Sequence, residues 1–217
     1  NELLNLFKFT LIMLICFHHT GWWSNTFNHG YIAVEFFFIV SGFFLYRTYR
    51  FKKNTVGEYL KNRLKRIYPT YIVILIIYML FSIVSPQFFN GYDKKSWIIS
   101  VIRDFSLLQA VGIGANFNLI RFNPPDWYVS VLFWGSIVLY LLLRLKYVKV
   151  ILCIIITCTY SYYFIFQDCS LNDLWGYHYI FFMPLWRALA GMSTGILLGT
   201  AIENENIKKY GATPAYR

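Results

Sequence analysis

The sequence predicts an all-α fold, a polytopic transmembrane helix bundle of about six spans with both termini in the cytoplasm. Three observations predict it. Hydrophobic residues make up 58% of the 217-residue chain and charged residues only 14%, against about 25% charged in soluble domains. Six apolar segments, near residues 3–23, 31–49, 67–85, 127–146, 148–166 and 177–201, approach the roughly 20 residues that cross a bilayer. The basic residues fall in alternate connections between those segments, the asymmetry that marks cytoplasmic loops. The formal charge of +10 is therefore assigned to membrane orientation and not to nucleic acid. The first segment has no small-residue cleavage site, so it reads as a retained helix and not as a signal peptide.

The first segment contains Lys8 and ends on His18-His19. A lysine at bilayer depth is costly unless it is paired or reaches the interface. Lys8 and His19 are eleven residues apart, about three helical turns, so they share a face at a separation of roughly 16 Å. His18 lies about 80° to the other side of the wheel. His19 is therefore preferred over His18 as a functional imidazole. Trp22 and Trp23 follow, and with the histidines they also fit an aromatic belt at the membrane surface.

The second segment carries Glu35 in the run Val34-Glu35-Phe36-Phe37-Phe38, with Ser41-Gly42 further along. A carboxylate in an apolar helix calls for a cationic or hydrogen-bonding partner. Paired with a histidine it would fix the tautomer and raise basicity, as general-base catalysis requires. Paired with another helix it would serve packing alone.

Eight basic residues between Arg47 and Arg66, against Glu58 as the single acid, make the next connection cytoplasmic. The connection closes on Arg63-Leu64-Lys65-Arg66-Ile67-Tyr68-Pro69 and opens the third span. Arg63 and Arg66 are three apart on one helix face. Guanidinium forks suit phosphate recognition, although charge anchoring alone would also explain them. Pro86 to Asp126 then falls outside, with a short helical stretch from Trp97 to Val111 and a loop rich in glycine, asparagine and proline (Gly112, Gly114, Asn116, Asn118, Asn123, Pro124, Pro125).

The fourth span begins at Trp127-Tyr128-Val129-Ser130. Arg144, Lys146 and Lys149 mark a second cytoplasmic turn, Asp168 and Asp173 an outer loop, and Lys208 and Lys209 a cytoplasmic tail. The sixth segment holds Arg187 near its middle. An arginine there needs a polar cavity or an acid such as Glu35. Cys16, Cys153, Cys158 and Cys169 show neither metal spacing nor a disulfide framework, and they read as small core hydrophobes. No metal is expected.

These residues resemble acyltransferase family 3, the bacterial integral-membrane O-acyltransferases. Five stretches carry the resemblance. Lys8-x10-His19 is similar to the family's Arg-x10-His motif. Gly30 through Val34-Glu35 to Ser41-Gly42 is similar to its Gly-x-x-x-Val-Asp-x-Phe-Phe-x-x-Ser-Gly pattern. Arg63 to Pro69 matches its Arg-x-x-Arg-Ile-Tyr-Pro element. Trp127 to Leu132 is similar to Trp-x-x-Ser-x-Glu, and Arg187 with Ala190-Gly191 resembles a further arginine-containing helix. Lys8 replaces arginine, Glu35 replaces aspartate and Leu132 replaces glutamate, so no catalytic role carries to position 132.

The resemblance implies a single acyltransferase-like domain over residues 1–217, incomplete at its C-terminus because members usually have about ten spans. It implies a multi-pass protein of the bacterial inner membrane. Its donor would be cytoplasmic acyl-CoA, most often acetyl-CoA. Its acceptor would be a hydroxyl of a cell-surface glycan or its lipid-linked precursor. His19 would be the general base or transient acyl carrier, oriented by Glu35. Lys8, Arg63 and Arg66 would bind donor phosphates. His18, Ser41, Tyr68, Trp127, Ser130 and Arg187 would support the site. The alternative class is a non-catalytic membrane protein in polysaccharide transport or export, because intramembrane charges also line transport paths.

Overall fold

A computed structural model describes residues 2–20, 30–52, 54–85, 93–111, 119–120, 122–166, 171, 177–178 and 181–210. The fold is all-α, with helices α1 (Glu2–Thr20), α2 (Gly30–Lys52), α3 (Val56–Val84), α4 (Lys94–Phe105), α5 (Trp127–Leu142), α6 (Val148–Phe166) and α7 (Met183–Tyr210). A 3-10 turn, Pro124–Asp126, leads into α5. The two-residue strands Tyr177–His178 and Phe181–Phe182 pair antiparallel before α7. Trp22, Trp23, Lys53, Pro86, the loop residues Gly112 to Asn118, Asp168, Cys169 and Asp173 lie outside the described residues.

Among the described residues four helices are long and apolar enough to cross a membrane: α2, α3, α6 and Met183–Glu205 of α7. Two further expected spans are shorter apolar helices, Asn5–His19 and Trp127–Leu142. The boundaries differ from expectation for local reasons. The helix that carries the third span begins at Val56, eleven residues before residue 67. Thr55 caps it by accepting from the Glu58 backbone N–H, while the Glu58 carboxylate accepts from the Thr55 N–H. That reciprocal box satisfies two otherwise orphaned donors, so Lys61, Arg63, Lys65 and Arg66 lie on a helix continuous with the span. The fifth helix stops at Leu142, where turns through Arg144 and Leu145 replace helical bonds. The last helix starts at Met183 because the strand Phe181–Phe182, paired with Tyr177–His178, immediately precedes it. The outer helical stretch spans Lys94–Phe105, capped by Asp93 on the Ser96 N–H. Two residues past its end stands Leu107, whose φ of 56° keeps the chain from continuing the helix.

The described chain forms two compact units. One comprises residues 1–47, 149–174 and 190–217; the other comprises residues 48–148 and 175–189. In the first, α2 and α7 touch backbone to backbone. A Cβ on Gly42 would collide with the Met192 carbonyl, and one on Gly195 with the Ile39 carbonyl. Gly191 and Gly199 extend the same α7 face by one turn each way. Small residues at such a face are how helices approach in the absence of a hydrophobic drive from water. Tyr46 Oη donates to Glu203 Oε2 at 2.6 Å along this pair, and Phe7 meets Phe36 edge-on between α1 and α2. On α6, Leu152, Ile155, Thr159 and Tyr163 point inward at helical spacing.

In the second unit, Tyr71, Leu75 and Met79 form one face of α3 and pack with Leu107, Ile120, Phe122 and Phe133. Tyr59 stacks on Tyr140 with ring centroids 4.2 Å apart, and Tyr140 Oη donates to the Asn54 carbonyl. The opposite face of α3 exposes Val73, Ile77, Leu80, Ile83 and Val84, an apolar surface whose natural solvent is lipid. Cys16, Cys153 and Cys158 are free and exposed. This corrects the expectation of core cysteines: they lie on outward helix faces, where a small apolar side chain meets lipid at no packing cost.

Candidate functional site

The first unit holds Lys8, His18, His19, Glu35 and Ser41. Along α1, Lys8 is half-buried, His18 half-buried and His19 exposed. His18 faces the start of α2, where a Cβ on Gly30 would stand 2.6 Å from the His18 Cβ. Only glycine leaves room for the imidazole at that crossing. The two imidazoles meet edge-on with centroids 5.3 Å apart. Glu35 is half-buried on α2, and its Oε2 accepts from Tyr160 Oη of α6 at 2.9 Å. Gly191 of α7 approaches the same oxygen, since a Cβ there would stand 3.2 Å from it. Ser41 is half-buried beside the α2–α7 glycine contact.

The second unit holds Arg63, Arg66, Tyr68, Trp127, Ser130 and Arg187. Arg66 is exposed and Arg63 half-buried. Arg63 Nη2 donates to the Leu132 carbonyl at 3.1 Å, so the backbone at position 132 takes a guanidinium hydrogen bond although its side chain is apolar. Tyr68 Oη donates to the Phe105 carbonyl at 3.1 Å. Ser130 Oγ donates to the Leu107 carbonyl at 2.6 Å and accepts from the Ala110 N–H at 3.2 Å, which pins the left-handed turn. Arg187 is 1% exposed, with its guanidinium carbon 5.9 Å from the centre of the Trp127 ring, a cation–π arrangement that suits a charge removed from water.

A polar cluster that sequence reasoning did not single out lies beside Trp127. Tyr71 Oη donates to the Asp104 carbonyl at 2.8 Å and accepts from Gln109 Nε2 at 3.2 Å. Gln109 Nε2 also reaches the Asp126 carbonyl, and Arg103 Nε donates to Asp104 Oδ1 at 2.7 Å. Asp104 and Asp126 are both buried. Burial pushes both carboxyls up, Asp126 to about 7, with the Asp104 charge adding to the push on Asp126. Among the described residues Asp126 Oδ2 and Gln109 Oε1 are buried without a hydrogen-bond partner. The sequence signal was present only as Asp126 next to the tryptophan. Tyr160, the donor to Glu35, was likewise missed, because a tyrosine in Tyr160-Ser161-Tyr162-Tyr163 looks like any interfacial aromatic.

Among the described residues no group of three or more His, Cys, Asp or Glu side chains is placed to hold a metal ion. The expected residues therefore divide by unit, the histidines and Glu35 in one and the arginines with Trp127 and Ser130 in the other. A family model described as an acyltransferase domain matches residues 1–214. No curated protein and no solved structure matches the chain.

Proposed function

The chain belongs to acyltransferase family 3, and from that premise we propose that it moves an acyl group, acetyl in the first instance, from cytoplasmic acyl-CoA to a glycan hydroxyl. The acceptor is a cell-surface polysaccharide or its lipid-linked precursor, and the membrane is the bacterial inner membrane. The observation that carries this reading is the family match over nearly the whole chain, in which the Lys8-x10-His19 spacing lies on one apolar helix.

The chemistry follows from the residue types. The His19 imidazole takes the proton of the acceptor hydroxyl, and the oxygen attacks the thioester carbonyl. The CoA thiolate leaves and collects the proton from the imidazolium. The alternative order passes the acyl group through the imidazole nitrogen first. Glu35, a carboxylate already held by a hydrogen bond, orients the base. His18 and Ser41 line the same unit. For the donor phosphates Arg66 is the first candidate because it is exposed, with Arg63 as a further cation of the same unit and Lys8 as a separate candidate in the first unit. Arg63 has one nitrogen on the Leu132 carbonyl, so part of its guanidinium already serves packing. Tyr68, Trp127, Ser130 and Arg187 support the second unit.

The test follows acyl transfer from acetyl-CoA in membranes of the expressing cell, and thermal stabilisation by acetyl-CoA on protein in nanodiscs. His19→Ala is expected to lose transfer to the acceptor in the expressing cell's membranes by at least about 100-fold, the contribution of a general base. Arg66→Ala is expected to weaken the thermal stabilisation that acetyl-CoA gives the wild type. Unchanged acyl transfer in His19→Ala, in a correctly inserted protein, sinks the assignment. Wild-type protein that never releases CoA favours a transport role.

A further inference from the structure

Three helices of the first unit converge on one atom. Glu35 Oε2, on α2, accepts a hydrogen bond from Tyr160 Oη of α6 at 2.9 Å. From α7, Gly191 comes so near that a methyl group at its Cα would sit 3.2 Å from the same oxygen and 2.8 Å from the Phe38 Cβ. A phenol hydroxyl is a neutral donor. It stabilises a carboxylate and fixes its orientation. In apolar surroundings such a charge-assisted bond is shorter and stronger than in water. Gly191 complements it sterically, since the absence of a side chain is what leaves the carboxylate its place between the helices.

We propose that Tyr160 is a positioning residue for acyl transfer: its hydroxyl, with Gly191 behind the same oxygen, sets the orientation in which Glu35 acts. The inference rests on the reading that Glu35 takes part in the reaction, and it adds the second helix that this carboxylate depends on. Tyr160→Phe removes the donor and nothing else of the ring, so the packing of α6 is kept. Gly191→Ala is the complementary perturbation, leaving the donor in place and crowding the oxygen.

The experiment measures CoA release from acetyl-CoA in membranes of the expressing cell, for wild type, Tyr160→Phe, Glu35→Gln, the Tyr160→Phe/Glu35→Gln double variant and Gly191→Ala. Difference infrared spectra of the purified proteins follow the Glu35 band, identified as the one that Glu35→Gln removes. Tyr160→Phe is expected to lower kcat about tenfold or more at unchanged KM for acetyl-CoA, the factor that loss of one hydrogen bond to a charged group brings. The double variant is expected to be no slower than Glu35→Gln alone, and the Glu35 band is expected to move in Tyr160→Phe and in Gly191→Ala. If Glu35→Gln slows the enzyme while Tyr160→Phe matches wild type, the positioning role is overturned and the acyltransferase reading stands. Normal CoA release in Glu35→Gln removes Glu35 from the reaction and the inference with it. A double variant slower than Glu35→Gln also overturns the inference, because Tyr160 then acts through something else.

Discussion

Asp126 is buried beside a second acid, and its carboxyl sits at about 7 instead of the ordinary 3.8. Burial is the larger cause and the Asp104 charge the second, while the Gln109 amide and Arg103 oppose them. The folded state thus binds a proton that the unfolded chain releases near pH 4. Stability is then full below about pH 4 and falls as pH rises towards 7. Unfolding of the detergent-solubilised protein between pH 4.5 and 7.5, a range set by roughly the two carboxyl values, is expected to show stability falling with pH. In Asp126→Asn, which stays neutral throughout, that slope is expected to shrink. A slope that persists unchanged assigns the effect elsewhere. Arg63 makes a second residue-scale point. Its bond to the Leu132 carbonyl means that Arg63→Ala loses packing as well as charge, so Arg66→Ala is the cleaner probe of donor binding.

At the scale of the element, the glycines separate into two kinds. Gly42 and Gly195 lie where α2 and α7 backbones touch, and any side chain there meets a carbonyl. Gly195→Ala is expected to destabilise by about 1–3 kcal/mol, the usual cost of overpacking, read as a lower unfolding midpoint in micelles. Gly57 has nothing within 4 Å of a built Cβ, so Gly57→Ala is expected to be neutral or to stabilise by up to about 1 kcal/mol through helix propensity. Equal effects at the two positions would mean that the α2–α7 contact does not form. The cap of α3 gives a third case: Thr55→Ala removes the acceptor for the Glu58 N–H and is expected to cost about 1 kcal/mol.

At the scale of the whole molecule, the exposed apolar faces of α3, α6 and the first helix demand a bilayer, and the basic run at residues 47–66 is expected on its cytoplasmic side. With the native cysteines replaced, a single cysteine at Lys61 is expected to resist a membrane-impermeant maleimide on intact cells. One at Lys94, beyond the far end of α3, is expected to react. Both become labelled after lysis. Labelling in the reverse pattern would invert the cytoplasmic placement of the basic run and, with it, the side from which the donor arrives.

The membrane character, the all-α class and the family were legible in the residues themselves. Apolar runs of span length and the spacing of Lys8, His19, Glu35, Arg63 and Arg66 are one-dimensional signals that no packing is needed to read. Helix ends were less legible. The α3 start depended on a reciprocal cap at Thr55 and Glu58, and the α7 start on the pairing of Tyr177–His178 with Phe181–Phe182. The partners of the charges were not legible at all. Tyr160 and Glu35 are 125 residues apart and Arg63 and Leu132 are 69 apart, and hydropathy is blind to which buried hydroxyl or carbonyl turns towards a charge. The sequence therefore determined which solvent surrounds the helices and which chemistry the chain carries. The tertiary structure alone decided how those charges are held, because a hydrogen bond depends on distances of a few tenths of an ångström that only the packed helices define.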